Sequence, residues 1–491
     1  MIYSFHHFYY WLKGGVESGQ AYRMKLFREL GLEAKVVYAT TFPDNSVEDE
    51  AEYLGLREGE ALWMYGMFSD CKLSRVTYTL NQFESELAGQ DFTRQPAGKD
   101  CVKYSINGTG IYYMVHLMEP ESSLVRCVEV VSDYRMIRKD YYSYCRIYSE
   151  FYTPDGPSAA LSFRRFYNED GSTAFEEMPD GVNNAIYRLP DRILYSREEL
   201  VLEMMARLAL TKEDVVLIDG EPGMIDMSAF LQGAGPARVG LIIHADHYLR
   251  EGEGRILWYG IYEYAFSHAD QIDFFVTNTE AQSNLLRTQL KKYEGVEARV
   301  LTIPVVALEE LKSPVSGRRR HSLISVGRLA PEKGMDQAID AVVRARRYIP
   351  DLTLDIYGEG QLAGELQSQI DRLGCGNYVK LCGFQKLDEL YAQYDAYLSA
   401  SFVETFGVTY LEAVGAGLPI VGYDIPYGAR VFIDEGKNGY KAPYHDVEQL
   451  SACIVRLFSE ADMEAFREDS YEKAREYLSE TVREKWKAAL I

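Results

Sequence analysis

The chain of 491 residues has no apolar run near the roughly 20 residues that a membrane span needs. Its start, MIYSFHHFYYWLKGG, lacks the basic beginning and long apolar core of a signal peptide. A cytoplasmic protein is expected. Cysteine is scarce and odd in number: the seven, at 71, 101, 127, 145, 375, 382 and 453, include no C-x-x-C pair and cannot all pair within the chain. Reduced thiols follow. Positive charge is also short, with Lys plus Arg 52 against Asp plus Glu 74 and a net charge of −22. Because polyanions are gripped by accumulated positive charge, nucleic acid is not an expected partner. No repeat of 20 to 50 residues, low-complexity tract or coiled coil is present.

What is there is a soluble composition, 47% hydrophobic and 26% charged, on a chain long enough for two or three domains. Residues 320 to 480 alternate β-rich runs (SLISVG, LTLDIYG, YVKLCG, AYLSAS, PIVGYD) with helical segments, the order that builds a parallel sheet covered on both faces. After Gly334, Met335, Ile339 and Val342 fall at i, i+4 and i+7, an inward helical stripe. The same texture occupies residues 1 to 42 and resumes from 198 to 305 with DVVLIDG, VGLIIHAD, IDFFVTNT and RVLTIPV. Between these halves the chain switches to short alternating strands rich in Tyr, Val and Phe, SRVTYTLNQF and GIYYMVHLM among them, punctuated by Asn107-Gly108, Asp155-Gly156 and Asp170-Gly171. Asx-Gly pairs are strong hairpin cues. The expected organisation is α/β: a Rossmann-like domain from 1–45 and 196–312, a β-meander inserted at 46–195, a second Rossmann-like domain at 313–475, and a terminal helix at 476–491 packing back on the first domain.

Ligands of such sheets bind beyond the C-terminal strand ends, where helix N-termini present unpaired amides. Arg328 and Lys333, in VGRLAPEKG, follow one strand, and an Arg fork with a Lys point charge suits a diphosphate leaving group. Alone they would read as a solvated loop pair. Their company changes this: in YLSASFVETFGVTYLEAVGAG, Glu404 and Glu412 also follow a strand, with a helix expected from about Phe406. Glu412, on its second turn, fits a ribose contact, and Glu404 lies nearer a reacting sugar. Gly14-Gly15-Val16-Glu17-Ser18 opens a helix after the first strand, a weak sign of close backbone approach to a ligand. His244, Asp246 and His247 form HADH, which could be a metal site, but no further His or Cys cluster completes a shell. A sugar-hydroxyl contact from His244 is preferred. The chain also has no D-x-D, the pair by which metal-dependent sugar-nucleotide enzymes hold a divalent ion. No cofactor and no metal are expected.

Together Gly14-Gly15, His244, Arg328/Lys333, the E-x7-E at 404 and 412, and IDEGKNGY at 433 to 440 resemble the retaining GT-B glycosyltransferases, two Rossmann-like domains facing a crevice. WLKGGVESGQAYRMKLFREL, RKDYYSYCRIYSEFY, IIHADHY, ILWYGIYEYAF and DIPYGARVFIDEGKNGY resemble, more narrowly, the accessory-Sec O-GlcNAc transferases of the GtfA family, over nearly the whole chain and including the insert. That resemblance implies transfer of GlcNAc from UDP-GlcNAc to Ser/Thr hydroxyls of serine-rich-repeat adhesins with a GtfB partner, and peripheral association with the cell membrane. It assigns Gly15, Val16, Glu17 and Ser18 to a UDP-facing loop and His244 to GlcNAc. Arg328 and Lys333 go to the diphosphate, Phe384 and Gln385 to base or ribose, and Glu412 to ribose. Glu404, Thr405, Phe406 and Gly407 would hold sugar and phosphate. Thr405 stands where relatives often carry glycine, and Leu12-Lys13 replaces smaller residues.

The implied reaction is front-face attack with retention, the departing charge held by Arg328, Lys333 and helix amides, with Glu404 beside the sugar. Two alternatives stay open: a non-catalytic GtfB-like subunit that binds the acceptor, and an enzyme acting on wall teichoic acid or a glycolipid. The charged set favours catalysis over the first, and the net −22 leans against a polyanionic acceptor. The insert, with open edges and many tyrosines, is expected to bind the partner or the acceptor chain, although the tyrosines could equally fill its own core.

Overall fold

A computed structural model describes residues 1–491 except 7–14, 41–46, 156–157, 181–183, 220–223, 314–316, 386 and 388–389. It forms two compact units, Met1–Ile242 with Tyr248–Phe275, and Ile243–His247 with Val276–Ile491.

In the first unit, Ile2–His6 lies between Val215–Asp219 and Ala34–Tyr38, all parallel, with Ile2 opposite both Val215 and Ala34. Arg238–Ile242 extends the sheet on one side and Ala61–Trp63 on the other. Val215–Asp219 is buried throughout, as expected for a parallel strand covered on both faces. Ser196 starts the helix Arg197–Leu208 by accepting from Glu199 N, and the helix buries Leu200, Val201, Met204 and Met205. Ala61–Trp63 therefore extends the parallel sheet, after the helix Val47–Tyr53, within the stretch 46–195 expected to be antiparallel. Ala61–Trp63 has three residues, too few to display an alternation.

The antiparallel part is a ten-stranded sheet in which every strand neighbours those before and after it in sequence, from Phe92–Pro96 to Ile193–Leu194. Asn107-Gly108 joins Cys101–Ile106 to Ile111–Leu117, and Asp170-Gly171 joins Ser158–Tyr167 to Thr173–Pro179. Gly156 lies outside the described residues. SRVTYTLNQF is not a strand. Thr79 and Gln82 form a capping box that opens the helix Leu80–Glu86, and this local hydrogen bonding prevails over the β-branched pattern before it. Most of the tyrosines turn inward: Tyr104, Tyr141, Tyr142, Tyr148 and Tyr187 are buried, whereas Tyr134 is 93% exposed. Phe166 stacks between Phe175 at 4.3 Å and Tyr148 at 5.2 Å, and Trp63 and Tyr65 cover this aromatic row. Arg164 bridges buried Glu150 and Glu177 at 2.9 and 3.2 Å, so the charges on that face are compensated.

The second unit contains a six-stranded parallel sheet in the spatial order Val379–Leu381, Thr353–Tyr357, Ser322–Val326, Ala396–Ser399, Ile420–Tyr423, Gly439–Ala442. The helix Met335–Ala345 buries Met335, Ile339 and Val342 as its spacing predicts, together with Ala338, Ala341 and Ala345. The last helix, Ser479–Leu490, buries Trp486, and the preceding turn pairs with the chain at Leu308 through Leu308 N→Tyr477 O and Ser479 N→Leu308 O. Arg299 Nη2 donates to Ala488 O at 3.4 Å.

Candidate functional site

Numbered along the chain, the six strands of the second unit stand in the order 3-2-1-4-5-6. Ser322–Val326 and Ala396–Ser399 are paired neighbours, but the sheet continues outward from each in opposite directions. The loops leaving these two strands therefore diverge, and a ligand crevice opens at such a switch point. Arg328 and Lys333 lie on the first loop, Glu404 and Thr405 on the second.

The loops are held in register by backbone contact. Phe402 N donates to Glu332 O at 2.8 Å, and Pro331–Lys333 forms a single tight turn. Gly334 follows at φ +57°, where an added Cβ would stand 2.2 Å from Ala400 O, so only glycine fits. With the two loops so close, Lys333 Nζ donates to Glu404 Oε1 at 2.6 Å, the side chains 17% and 13% exposed. Gly428, at φ +55°, presses on the other side of Glu404, whose Cβ would be 2.8 Å from a Cβ there. Arg328 is half exposed and reaches Glu332 at 2.8 Å, four residues on. Such a surface pair is worth little, so the guanidinium can transfer to a phosphate at small cost.

His244 is the second residue of the segment Ile243–His247, whose first three carbonyls are tied by side chains of the same unit. Asn278 Nδ2 donates to Ile243 O at 3.4 Å, Thr405 Oγ1 to His244 O at 2.8 Å, and Gln282 Nε2 to Ala245 O at 2.9 Å. His247 Nε2 lies 2.7 Å from Gln289 Oε1, and burial pushes the ring pKa down to about 4. Burial raises the pKa of Asp246. Among the described residues no three His, Cys, Asp or Glu side chains converge as a metal-ligand set.

The helix expected from Phe406 begins two residues later, as Val408–Gly415, with Gly407 as its N-cap. Phe406 is 2% exposed, its ring against Phe432 at 5.2 Å and Tyr477 at 5.7 Å, so it anchors the loop in the core and can offer a ligand only backbone. Glu412 lies on the second turn and accepts from Tyr391 OH at 2.8 Å. Phe384, 75% exposed, and Gln385, bonded to Cys382 O, follow the sheet's edge strand Val379–Leu381, two strands from the switch point. Gly15, Val16, Glu17 and Ser18 belong to the first unit: Gly15 opens the helix Gly15–Glu29, Val16 is half-buried and Ser18 exposed. The loop Leu12-Lys13-Gly14 and the Glu17 side chain lie outside the described residues. In that unit buried Arg23, on the same helix, pairs with Asp219 at the end of Val215–Asp219, which fixes the helix to the strand.

Sequence reasoning passed over Tyr391, Gly428 and Arg23. Tyr391 stands 21 positions before its partner and Arg23 196 before its own, with no spacing rule connecting either pair. Gly428, in PYGAR, carried a signal as part of a resembling stretch, with no role attached.

The comparisons with known proteins agree with this layout. Residues 94–191 match the family model of the GtfA extended beta-sheet domain, and 309–477 that of glycosyl transferases group 1. The chain is 40% identical over 486 residues to the UDP-N-acetylglucosamine–peptide N-acetylglucosaminyltransferase GtfA subunit of Streptococcus agalactiae, covering 97% of this chain and 95% of that one. It superposes with a TM-score of 0.92, at 33% identity and over 100% and 98% of the two chains, on the pneumococcal O-GlcNAc transferase GtfA solved in complex with UDP and GlcNAc. The structure of a GtfA/B complex matches equally well, at 0.92 and 37% identity over the same shares. The α/β GT-B class with an inserted antiparallel sheet, expected from the sequence, is the fold of this chain.

Proposed function

The chain belongs to the GtfA family of UDP-N-acetylglucosamine–peptide N-acetylglucosaminyltransferases, and from that premise we propose that it transfers GlcNAc from UDP-GlcNAc to Ser/Thr hydroxyls of a serine-rich polypeptide, with retention of configuration. The observation that carries this reading is the Lys333–Glu404 contact at the switch point. A carboxylate already holds the ammonium in place, so the cation needs little reorganisation when a diphosphate arrives and its charge grows. Arg328 supplies a second, easily released cation on the same loop. Glu404 keeps Lys333 oriented and lies on the sugar side, and Glu412, steadied by Tyr391, takes ribose hydroxyls in ground and transition states alike. The acceptor hydroxyl attacks the anomeric carbon on the face from which UDP leaves and passes its proton to the departing phosphate.

The reaction works without a cofactor or metal, Arg328, Lys333 and the Val408–Gly415 amide end carrying the leaving-group charge. The extended sheet serves the acceptor side through a GtfB-like partner, as the relative solved as a GtfA/B complex suggests. No described helix is long and apolar enough to cross a membrane. A peripheral position at the cytoplasmic membrane face remains part of the proposal.

The test is mass spectrometry of a Ser/Thr-rich polypeptide after incubation with a panel of UDP-sugars, with and without the partner subunit and with EDTA present. HexNAc addition from UDP-GlcNAc alone is expected. Preferred transfer of another sugar, or strict dependence on Mn²⁺, would overturn the donor or the metal-free part respectively.

A further inference from the structure

After the short turn Tyr65–Phe68, residues 71–78 run as a strap without regular structure between the parallel strand Ala61–Trp63 and the helix Leu80–Glu86, all within the first unit. It is sewn to two turns of the ten-stranded sheet. Lys72 N donates to Tyr144 OH at 2.9 Å, and Thr77 N and Tyr78 N both donate to Ser143 O at 2.9 Å. On the other side Glu169 N donates to Asp70 Oδ1 at 2.7 Å. The strap walls a cavity of about 220 Å³ lined by Leu73, Val76, Trp63, Tyr142, Ile147 and Tyr148.

At one end of it the sulfurs of Cys71 and Cys145 stand 3.8 Å apart, in contact, the residues half-buried and 74 positions apart in sequence. Cys71 Sγ also lies 3.3 Å from Tyr167 O. Two thiols already in contact need a side-chain rotation rather than a backbone movement to reach bonding distance.

We infer that Cys71 and Cys145 form a peroxide-responsive dithiol site whose oxidation staples the strap to the turn between Arg135–Tyr142 and Arg146–Asp155. The hydrogen bond from Cys71 lowers the pKa of Cys145, while that bond and burial raise the pKa of Cys71, so Cys145 is the better nucleophile. Its thiolate attacks a hydroperoxide ROOH, breaking the O–O bond to give Cys145 sulfenic acid and, with one proton, ROH. The Cys71 sulfur then attacks the Cys145 sulfur and water leaves, carrying the thiol proton. The balance is two thiols and ROOH to one disulfide, ROH and water. The crosslink closes the chain from residue 71 to 145 around five complete strands, and so restrains the unfolded state as well as the strap.

The experiment treats the full folded chain with limiting hydrogen peroxide and maps thiols by peptide mass spectrometry, with trypsin probing exposed Lys72 and Arg75 on the strap. A Cys71–Cys145 disulfide should form before Cys382 or Cys453 is modified. Cleavage at Lys72 and Arg75 should slow at least several-fold, and dithiothreitol should restore it. Cys71→Ser should accumulate a Cys145 sulfenic acid that dimedone traps, whereas Cys145→Ser should give neither product and no protection. Earlier oxidation of Cys382 or Cys453, failure of dimedone to label Cys145 in folded Cys71→Ser, or unchanged cleavage after disulfide formation would overturn the inference.

Discussion

Thr405 Oγ1 donates to the carbonyl oxygen of His244 at 2.8 Å, so one candidate sugar contact is clamped to the loop that bears another. It couples the position of His244 to Glu404, one residue earlier in the chain, and through Glu404 to Lys333.

Thr405→Val keeps the shape and removes the donor. The carbonyl of His244 then loses a partner, worth about 1 kcal/mol for a net hydrogen bond, so kcat/KM for UDP-GlcNAc turnover should fall roughly 5- to 10-fold. The melting temperature should stay nearly constant. Steady-state kinetics beside thermal unfolding separates this from a folding defect, and an unchanged kcat/KM would deny the clamp a functional part.

Lys333→Ala removes a cation that the reading puts on the leaving diphosphate and leaves Glu404 without its 2.6 Å partner. Loss of one preorganised electrostatic donor costs about 2.7–4 kcal/mol, so turnover should drop by roughly 10² to 10³. EDTA should make no difference in wild type. A variant retaining half the wild-type rate would remove Lys333 from the machinery.

Tyr391→Phe and Glu412→Ala should act on nucleotide affinity, because the ribose contact exists before and during the reaction. Burial keeps the Tyr391 hydroxyl pKa well above its ordinary value, so it remains a donor at working pH. Calorimetry with UDP should show about 5-fold weaker binding for Tyr391→Phe, a loss near 1 kcal/mol, and a larger loss for Glu412→Ala. Glu404→Gln should lower turnover with UDP affinity nearly intact. Equal losses of affinity at 404 and 412 would mean that the two carboxylates share one role.

His247 gives the protein an acid-side weakness. The folded ring titrates at about 4 because of burial, while in the unfolded chain it titrates at 6.5. Between these values the unfolded state binds more protons, so stability that is complete above pH 6.5 declines as pH falls and levels off below about 4. The full loss is about 3 kcal/mol at 1.36 kcal/mol per unit. Chemical denaturation at pH 7 and pH 4.5 should show this decline in wild type and a flatter dependence in His247→Gln. Parallel curves would assign the acid sensitivity elsewhere.

Several features of the fold were legible because they are local. Continuous β-rich runs mark the parallel strands, helical spacing marks the stripe Met335, Ile339, Val342, and Asn107-Gly108 marks its hairpin. Where local signals compete, pattern reading failed. The run SRVTYTLNQF looks like a strand by its side chains, yet a capping box between Thr79 and Gln82 turns its second half into a helix. Ala61–Trp63 was too short to announce that it pairs with Ala34–Tyr38. The tyrosines of the insert could have faced either way, because composition does not say which side of a sheet is covered; Trp63 and Tyr65 lie over that aromatic row.

By itself, then, the sequence determined the α/β class with its inserted antiparallel sheet, and it offered the charges of the candidate site: Arg328, Lys333 and Glu404 in loops after strands and Glu412 on the helix that follows. Tertiary structure alone decided which of these charges touch. Lys333 meets Glu404, 71 positions away, because two loops diverge from neighbouring strands and glycine at 334 lets their backbones close up. Tyr391 on Glu412, Thr405 on His244 and Cys71 on Cys145 are likewise contacts between segments far apart in the chain. Periodicity reports only what lies within a few residues; sheet order and loop closure fix what lies beyond.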